Sequence, residues 1–172
     1  MDYSLKTAFT LADIPDHADF EALRREWFTV ATAELASIGG PKRTADEMMV
    51  DFWPDMQNYL APHGCTILAL DDAGALVGTG SLRKLRSDAA DLKRMFVRPV
   101  ARGAKLGQRL VERRIDEART MGLTTLFTNT IYINNRMLEI YEALGFERIA
   151  RFPECHEPIE MDHLLIYLKL EL

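Results

Sequence analysis

The chain has 172 residues, 48% of them hydrophobic and 27% charged, with a formal net charge of −5. These proportions exclude a disordered or low-complexity protein, and no apolar run approaches the roughly 20 residues that span a bilayer. The chain opens without a basic stretch followed by an apolar one, and Cys65 and Cys155 share no spacing pattern, so a single-domain (1–172), cytoplasmic protein with reduced thiols and no membrane partner is expected.

Ser4 to Thr10 reads as a first strand. Asp16 is placed to cap a helix whose residues Phe20, Leu23, Trp27, Phe28, Ala31 and Leu35 recur at helical spacing, up to Gly39-Gly40-Pro41. Thr44-Ala45-Asp46-Glu47 has the form of a capping box and opens a second helix through Met48, Met49 and Phe52; Pro54 should kink or restart it before about Leu60. Thr66–Leu70 and Ala75–Leu82 read as strands joined by the turn Asp71-Asp72-Ala73-Gly74, and Asp91–Val97 as the next strand. Leu106 to Met121 is a long helix with one stripe of Leu106, Leu110, Val111, Ile115 and Ala118, while Arg109, Glu112, Arg113 and Glu117 fall elsewhere. Thr125–Ile131 is a buried-type strand. Asn134 or Asn135 caps a helix through Leu144 that Gly145 stops, and Glu147–Phe152 and Leu164–Leu170 complete the strands. Strands alternate with helices in the middle and form hairpin-like pairs on either side, so the fold class is α+β with a mixed sheet.

Charge is unevenly placed. Between Leu82 and Arg114 eleven basic residues face three acids, leaving the remainder of the chain strongly acidic. A local positive patch suits a compact polyanion better than a long nucleic acid, and few aromatics interleave with these cations, so a nucleic-acid-binding module is a minor alternative. The segment Met95 to Leu110 adds a strand, a basic glycine-containing turn and a helix start. Such a junction aims free backbone N–H groups and a helix dipole at one point, which suits a phosphorylated cofactor. Cys155-His156-Glu157 places three reactive types side by side, but neighbours on an extended segment diverge and no second cluster completes a zinc set; no metal is expected.

Three motifs, in this order and spacing over about residues 90–152, resemble the GCN5-related N-acetyltransferase (GNAT) superfamily. Leu92-Lys93-Arg94-Met95-Phe96-Val97-Arg98-Pro99 looks like the family's fourth strand. Arg102-Gly103-Ala104-Lys105-Leu106-Gly107 is similar to the acyl-CoA pyrophosphate loop Q/R-x-x-G-x-G/A. Asn134 is followed seven residues later by Tyr141 in Tyr141-Glu142-Ala143-Leu144-Gly145-Phe146. The resemblance implies a mixed, mostly antiparallel sheet of about six to seven strands with a splayed parallel pair and flanking helices. It also implies an acetyl-CoA-dependent N-acetyltransferase in which a primary amine, carried by a small molecule or peptide, attacks the acetyl thioester directly in a ternary complex, and a homodimer would be common for such folds. The alternative is a catalytically silent CoA-binding sensor. Lys105 stands where the family has glycine; right-handed geometry at the helix start is the unstrained expectation for it, with its ammonium near phosphate.

The resemblance further implies roles for individual residues. Met95, Phe96 and Val97 would offer backbone to pantetheine, with Met95 N–H as the oxyanion donor. Arg102, Gly103, Ala104, Lys105, Leu106, Gly107 and Gln108 would cradle the pyrophosphate, and Asn134 would touch the cofactor as well as cap its helix. Tyr141 would face the CoA sulfur, where a phenol can protonate a departing thiolate. Asp91 falls where some members carry a glutamate base and would act through water; otherwise it is a solvated strand-end charge or a partner of Lys93 or Arg94. Arg98 and Arg109 either reach the adenosine 3′-phosphate or are solvated surface charges. His156 and Glu157 would line the acceptor pocket, and Trp27/Phe28 and Met48/Met49/Phe52/Trp53 are core or a wall of that pocket. The acidic remainder favours a cationic acceptor.

Overall fold

The structure, a computed structural model, describes residues 2–172. The seven strands among these residues join one sheet: β1 (Ser4–Ala8), β2 (Gly64–Leu70), β3 (Leu76–Arg86), β4 (Ala89–Val97), β5 (Thr125–Ile131), β6 (Glu147–Ile149) and β7 (Leu165–Glu171) lie in the order β1-β2-β3-β4-β5-β7-β6. Every neighbouring pair is antiparallel except β4 and β5. This is the mixed, mostly antiparallel sheet with one parallel pair that the resemblance implies.

Among the described residues five α-helices flank it: α1 (His17–Ser37), α2 (Ala45–Met49), α3 (Phe52–Met56), α4 (Leu106–Thr120) and α5 (Asn135–Ala143). Their starts follow from local chemistry. Asp19 N–H donates to Asp16 Oδ1 at 3.0 Å, capping α1. At α2 the box closes both ways, Glu47 N–H to Thr44 Oγ1 at 3.2 Å and Thr44 N–H to Glu47 Oε2 at 2.7 Å. Pro54 falls in the first turn of α3, where its missing N–H costs no hydrogen bond, so the helix restarts there.

Two apolar clusters lie on opposite faces of the sheet. One packs Leu106, Leu110, Val111 and Ala118 of α4 and Tyr141 of α5 against Ile67, Leu82, Leu92 and Leu126. The other packs Phe20 and Leu23 of α1 and Phe52 and Met56 of α3 against Leu68, Leu76 and Phe96. Each fully buried leucine or phenylalanine contributes roughly 1.5–3 kcal/mol over an exposed one.

Several boundaries differ from the sequence reading, β2 and β4 beginning two residues earlier than expected, at Gly64 and Ala89. β1 ends at Ala8 because Asp13 Oδ2 accepts the N–H groups of Phe9 and Thr10, at 3.0 and 2.8 Å, and bends the chain into a 3-10 turn. β6 ends at Ile149, since Phe152 turns away to stack on Phe127 at 4.7 Å. β3 runs on to Arg86, paired with Ala89 of β4. Glu117, expected off the buried stripe of α4, is buried and accepts a 2.6 Å hydrogen bond from Thr7 Oγ1.

Candidate active site

The parallel pair is hydrogen-bonded only from Ala89–Leu92 against Thr125–Thr128; beyond Leu92 and Thr128 both strands continue without pairing to each other. On its other side β4 bulges. Thr79 faces Phe96 and Ser81 faces Lys93, so Gly80 alone lies opposite both Arg94 and Met95. Arg94 takes the extra residue's place in left-handed geometry, with φ of 57°. A bulge bends its strand and re-aims the next residue, here Met95.

A cavity of about 230 Å³ opens here, lined by Met95, Phe96, Val97 and Asn134 together with Arg102, Gly103, Leu106 and Gly107 of the loop before α4. At Gly107 a Cβ would stand 3.1 Å from Met95 Cε and 3.4 Å from Ile140 Cδ1, so a side chain would crowd this wall. Arg109 is the first residue of α4 whose N–H is taken by the turn before it, at 3.1 Å from Lys105 O. The earlier N–H groups of the helix have no intrahelical partner by construction and are available to an anion. Ala104, Lys105 and Gln108 do not line the cavity, and Gln108 Nε2 donates to Glu112 Oε1 at 2.8 Å instead.

Lys105 overturns its expectation: it sits in left-handed geometry, φ 55° and ψ 17°, at the N-cap of α4. The loop therefore takes a backbone shape for which glycine is the unstrained residue, at a cost of roughly 1–2 kcal/mol for an L residue. The basic window also proves not to be one surface patch. Arg98 is held by Asp19 and Glu26, Arg109 donates to Tyr3 O at 2.8 Å, Lys93 pairs with Glu157 at 2.9 Å, and Arg114 is fully buried. Neither Arg98 nor Arg109 is the solvated surface charge considered for it.

Tyr141 is buried on α5, about two turns beyond the Asn134 cap, whose Oδ1 accepts from Met137 N–H at 3.3 Å. Its hydroxyl accepts a hydrogen bond from Thr128 Oγ1 at 3.3 Å, and the buried Arg114 of α4 is an electrostatic neighbour. Arg114 was missed by the sequence reading, although it stands three and four residues after Val111 and Leu110 on the buried stripe. It has no carboxylate partner among the described residues. Its nitrogens donate to Leu110 O at 3.0 Å and Ser81 O at 3.4 Å, and lie 3.0 Å from Met95 Sδ. Burial lowers its pKa, and Tyr141 partly opposes that. The guanidinium fits only because Gly80 has no side chain; a Cβ there would lie 3.0 Å from Arg114 Cζ.

A second cavity, about 730 Å³, adjoins the first through Met95, Asn134 and Trp27 and carries Tyr141, His156 and Glu157 on its wall. Met48 and Phe52 also line it, whereas Met49 and Trp53 pack on the core. Asp91 does not reach it as a water-linked strand-end base. It is fully buried, and Arg83 binds both its oxygens, Nε to Oδ1 at 3.3 Å and Nη2 to Oδ2 at 2.9 Å. Burial opposes the Arg83 charge, but Asp91 more than offsets it and raises the pKa. Asp91 is thus a counter-ion for Arg83, not for Lys93 or Arg94. Glu157 is lowered: burial alone would raise it, and the Lys93 ammonium and its hydrogen bond prevail.

A sheet opened by one splayed parallel pair, with an anion-accepting helix start at its mouth, defines an acyl-CoA-transferase architecture. The family model described as Acetyltransferase (GNAT) family matches residues 20–146, and the chain belongs to that family. An IAA acetyltransferase of Azospirillum brasilense is 33% identical over 124 residues, covering 67% of this chain and 81% of the relative. Among solved structures, an acetyltransferase of Streptococcus agalactiae shares the fold with a TM-score of 0.73 at 22% identity, over 99% of this chain and 98% of that one. A GNAT superfamily phosphinothricin acetyltransferase of Sinorhizobium meliloti, in complex with acetyl-CoA, does so with a TM-score of 0.67 at 18% identity, over 100% and 89%. No helix among the described residues is long and apolar enough to cross a membrane, and no group of three or more His, Cys, Asp or Glu stands ready to hold a metal ion.

Proposed function

We propose that the protein moves the acetyl group of acetyl-CoA to an amine by direct attack within a ternary complex. The observation that carries this reading is the continuity of the two cavities through Met95: the loop and slot lie on one side, the larger chamber on the other. Acetyl-CoA, when bound, supplies an acetyl group activated as a thioester. The residues present suit it, since the unpaired N–H groups at the start of α4 match a pyrophosphate and Gly107 leaves the wall open.

Met95, re-aimed by the bulge, donates its N–H to the acetyl oxygen as that oxygen gains charge. Met95, Phe96 and Val97 offer backbone along the slot, and Asn134 fixes its far wall. Tyr141 gives its proton to the departing sulfur, and Thr128 Oγ1 donates to the phenol oxygen at 3.3 Å so that the O–H is free to face the slot. Asp91 is closed off and Glu157 is held low by Lys93. The amine therefore gives up its proton to water in the larger cavity rather than to a tuned carboxylate.

Release of CoA thiol from acetyl-CoA over a panel of amines tests the reading. Amine-dependent release is expected, and Tyr141→Phe should lower turnover about 100-fold while acetyl-CoA affinity stays within twofold. No release with any amine would overturn the reading and favour the silent sensor. Unchanged turnover in Tyr141→Phe would remove the proton-donor role alone.

A further inference from the structure

The buried floor of the larger cavity is built from charge that does not cancel, whereas Glu34, Glu47 and Asp51, with Arg43, line the cavity as exposed side chains in water. Arg83 of β3 and Lys93 and Arg94 of β4 line it with side chains only 15%, 13% and 8% exposed. Three carboxylates answer them one for one: Asp91 binds Arg83, Glu157 binds Lys93 and Asp55 binds Arg94. A fourth cation, Arg24 of α1, stands directly behind this floor and is fully buried. Its guanidinium lies 5.0 Å from the Trp27 ring and 5.8 Å from the Phe52 ring, two residues that line the cavity. Its single hydrogen bond goes from Nη1 to Arg94 O at 3.3 Å, while Nε and Nη2 are buried without a partner. No carboxylate among the described residues pairs with it.

An unpaired buried guanidinium is expensive, because burial and the neighbouring Arg94 charge both act against it and lower its pKa well below the ordinary arginine value. Arginine nevertheless keeps its proton in proteins, so the buried floor retains one positive charge that no neighbouring carboxylate answers, while the exposed acids of the wall are screened by water. Low-dielectric walls concentrate that field inside the cavity. The position also matters. Arg94 immediately precedes Met95, the proposed acyl-oxygen donor, and strand residues advance only about 3.3 Å each. An anionic group held at Arg94 and Lys93 is therefore within one small molecule's length of the reacting amine. Asp55 and Glu157, each about a third exposed on the same wall, suit the ammonium before it loses its proton.

We propose that the acceptor is an amine bearing a carboxylate close to its amino group, an amino-acid-like zwitterion, received by Arg94 and Lys93 in the field of Arg24. This rests on the acetyltransferase reading above, and it reverses the expectation of a cationic acceptor drawn from net charge. Arg24 is then a specificity-determining residue that acts through the field it adds to the Arg94 wall.

The test measures kcat/KM for thiol release with matched pairs, free amino acids against their carboxamides, with a linear diamine as a third class. The free acids should be favoured at least tenfold. Arg24→Met, which places an apolar side chain among Phe20, Trp27 and Phe52, should cut that ratio at least fivefold without moving acetyl-CoA affinity. Asp55→Asn, at a partly exposed side chain that burial does not make essential to folding, frees Arg94 and should raise the ratio, and it decides the matter if Arg24→Met does not fold. Preference for carboxamides or the diamine overturns the inference and leaves the acetyltransferase reading standing. A ratio unmoved in both variants also overturns it. Thiol release from no amine of any class overturns both.

Discussion

Lys105 shows how one residue can retain a motif's shape while losing its usual side chain. With φ of 55° it occupies the conformation for which glycine is the unstrained choice, and the loop before α4 keeps its path. Lys105→Gly should remove strain of roughly 1–2 kcal/mol, partly offset by the greater freedom of glycine in the unfolded chain. The expected net is a rise in Tm of about 2 °C, read by thermal unfolding without ligand. An unchanged or lower Tm would mean that the loop supports lysine there without strain. The sequence showed the substitution but not the geometry, because φ at a single position depends on the turn that the whole loop must make. The same limit applies to Asp91. Its residue type invited a catalytic role, and only the register that sets Arg83 opposite it reveals an ion pair closed to water.

At the scale of elements, caps and periodicity carried most of the reading. Asp16, the Thr44–Glu47 box and Asn134 begin their helices by hydrogen bonds that depend on a few adjacent residues, so they were legible. What periodicity hid was the chemistry on the buried stripes. Arg24 recurs with Phe20, Leu23, Trp27 and Phe28 on α1, and Arg114 with Leu110, Val111, Ile115 and Ala118 on α4. Helical spacing pointed inward at both, while side-chain charge suggested the surface. The bulge in β4 was equally invisible, since two residues facing one requires knowledge of both strands. Gly80 links these features, as its missing Cβ makes room for the Arg114 guanidinium. Gly80→Ala should push that guanidinium by a few tenths of an ångström, costing about 1–3 kcal/mol of stability and lowering turnover more than acetyl-CoA affinity. Full stability together with full turnover would show that neither the tight fit nor the Arg114–Tyr141 contact matters.

Across the whole molecule, linear charge proved a poor guide to function. The basic window between Leu82 and Arg114 is distributed by the fold, with some cations buried, some tied to acids of α1 and some placed on the floor of the larger cavity. In the proposed reading the compact ligand it suggested is served instead by backbone at the start of α4, and the net charge of −5 does not describe the chamber where the acceptor would sit. The fold was legible in outline because element order and the three motifs each point to the same sheet. The acceptor chamber was not, because α1, α3, β3, β4 and the segment before β7 each supply a part of it. The central claim is that the open end of the β4–β5 pair takes acetyl-CoA. Titration of the purified protein with acetyl-CoA by calorimetry tests it most directly. One saturable site per chain, competed by CoA and unaffected by a short oligonucleotide, is predicted; no binding up to millimolar acetyl-CoA would contradict the account.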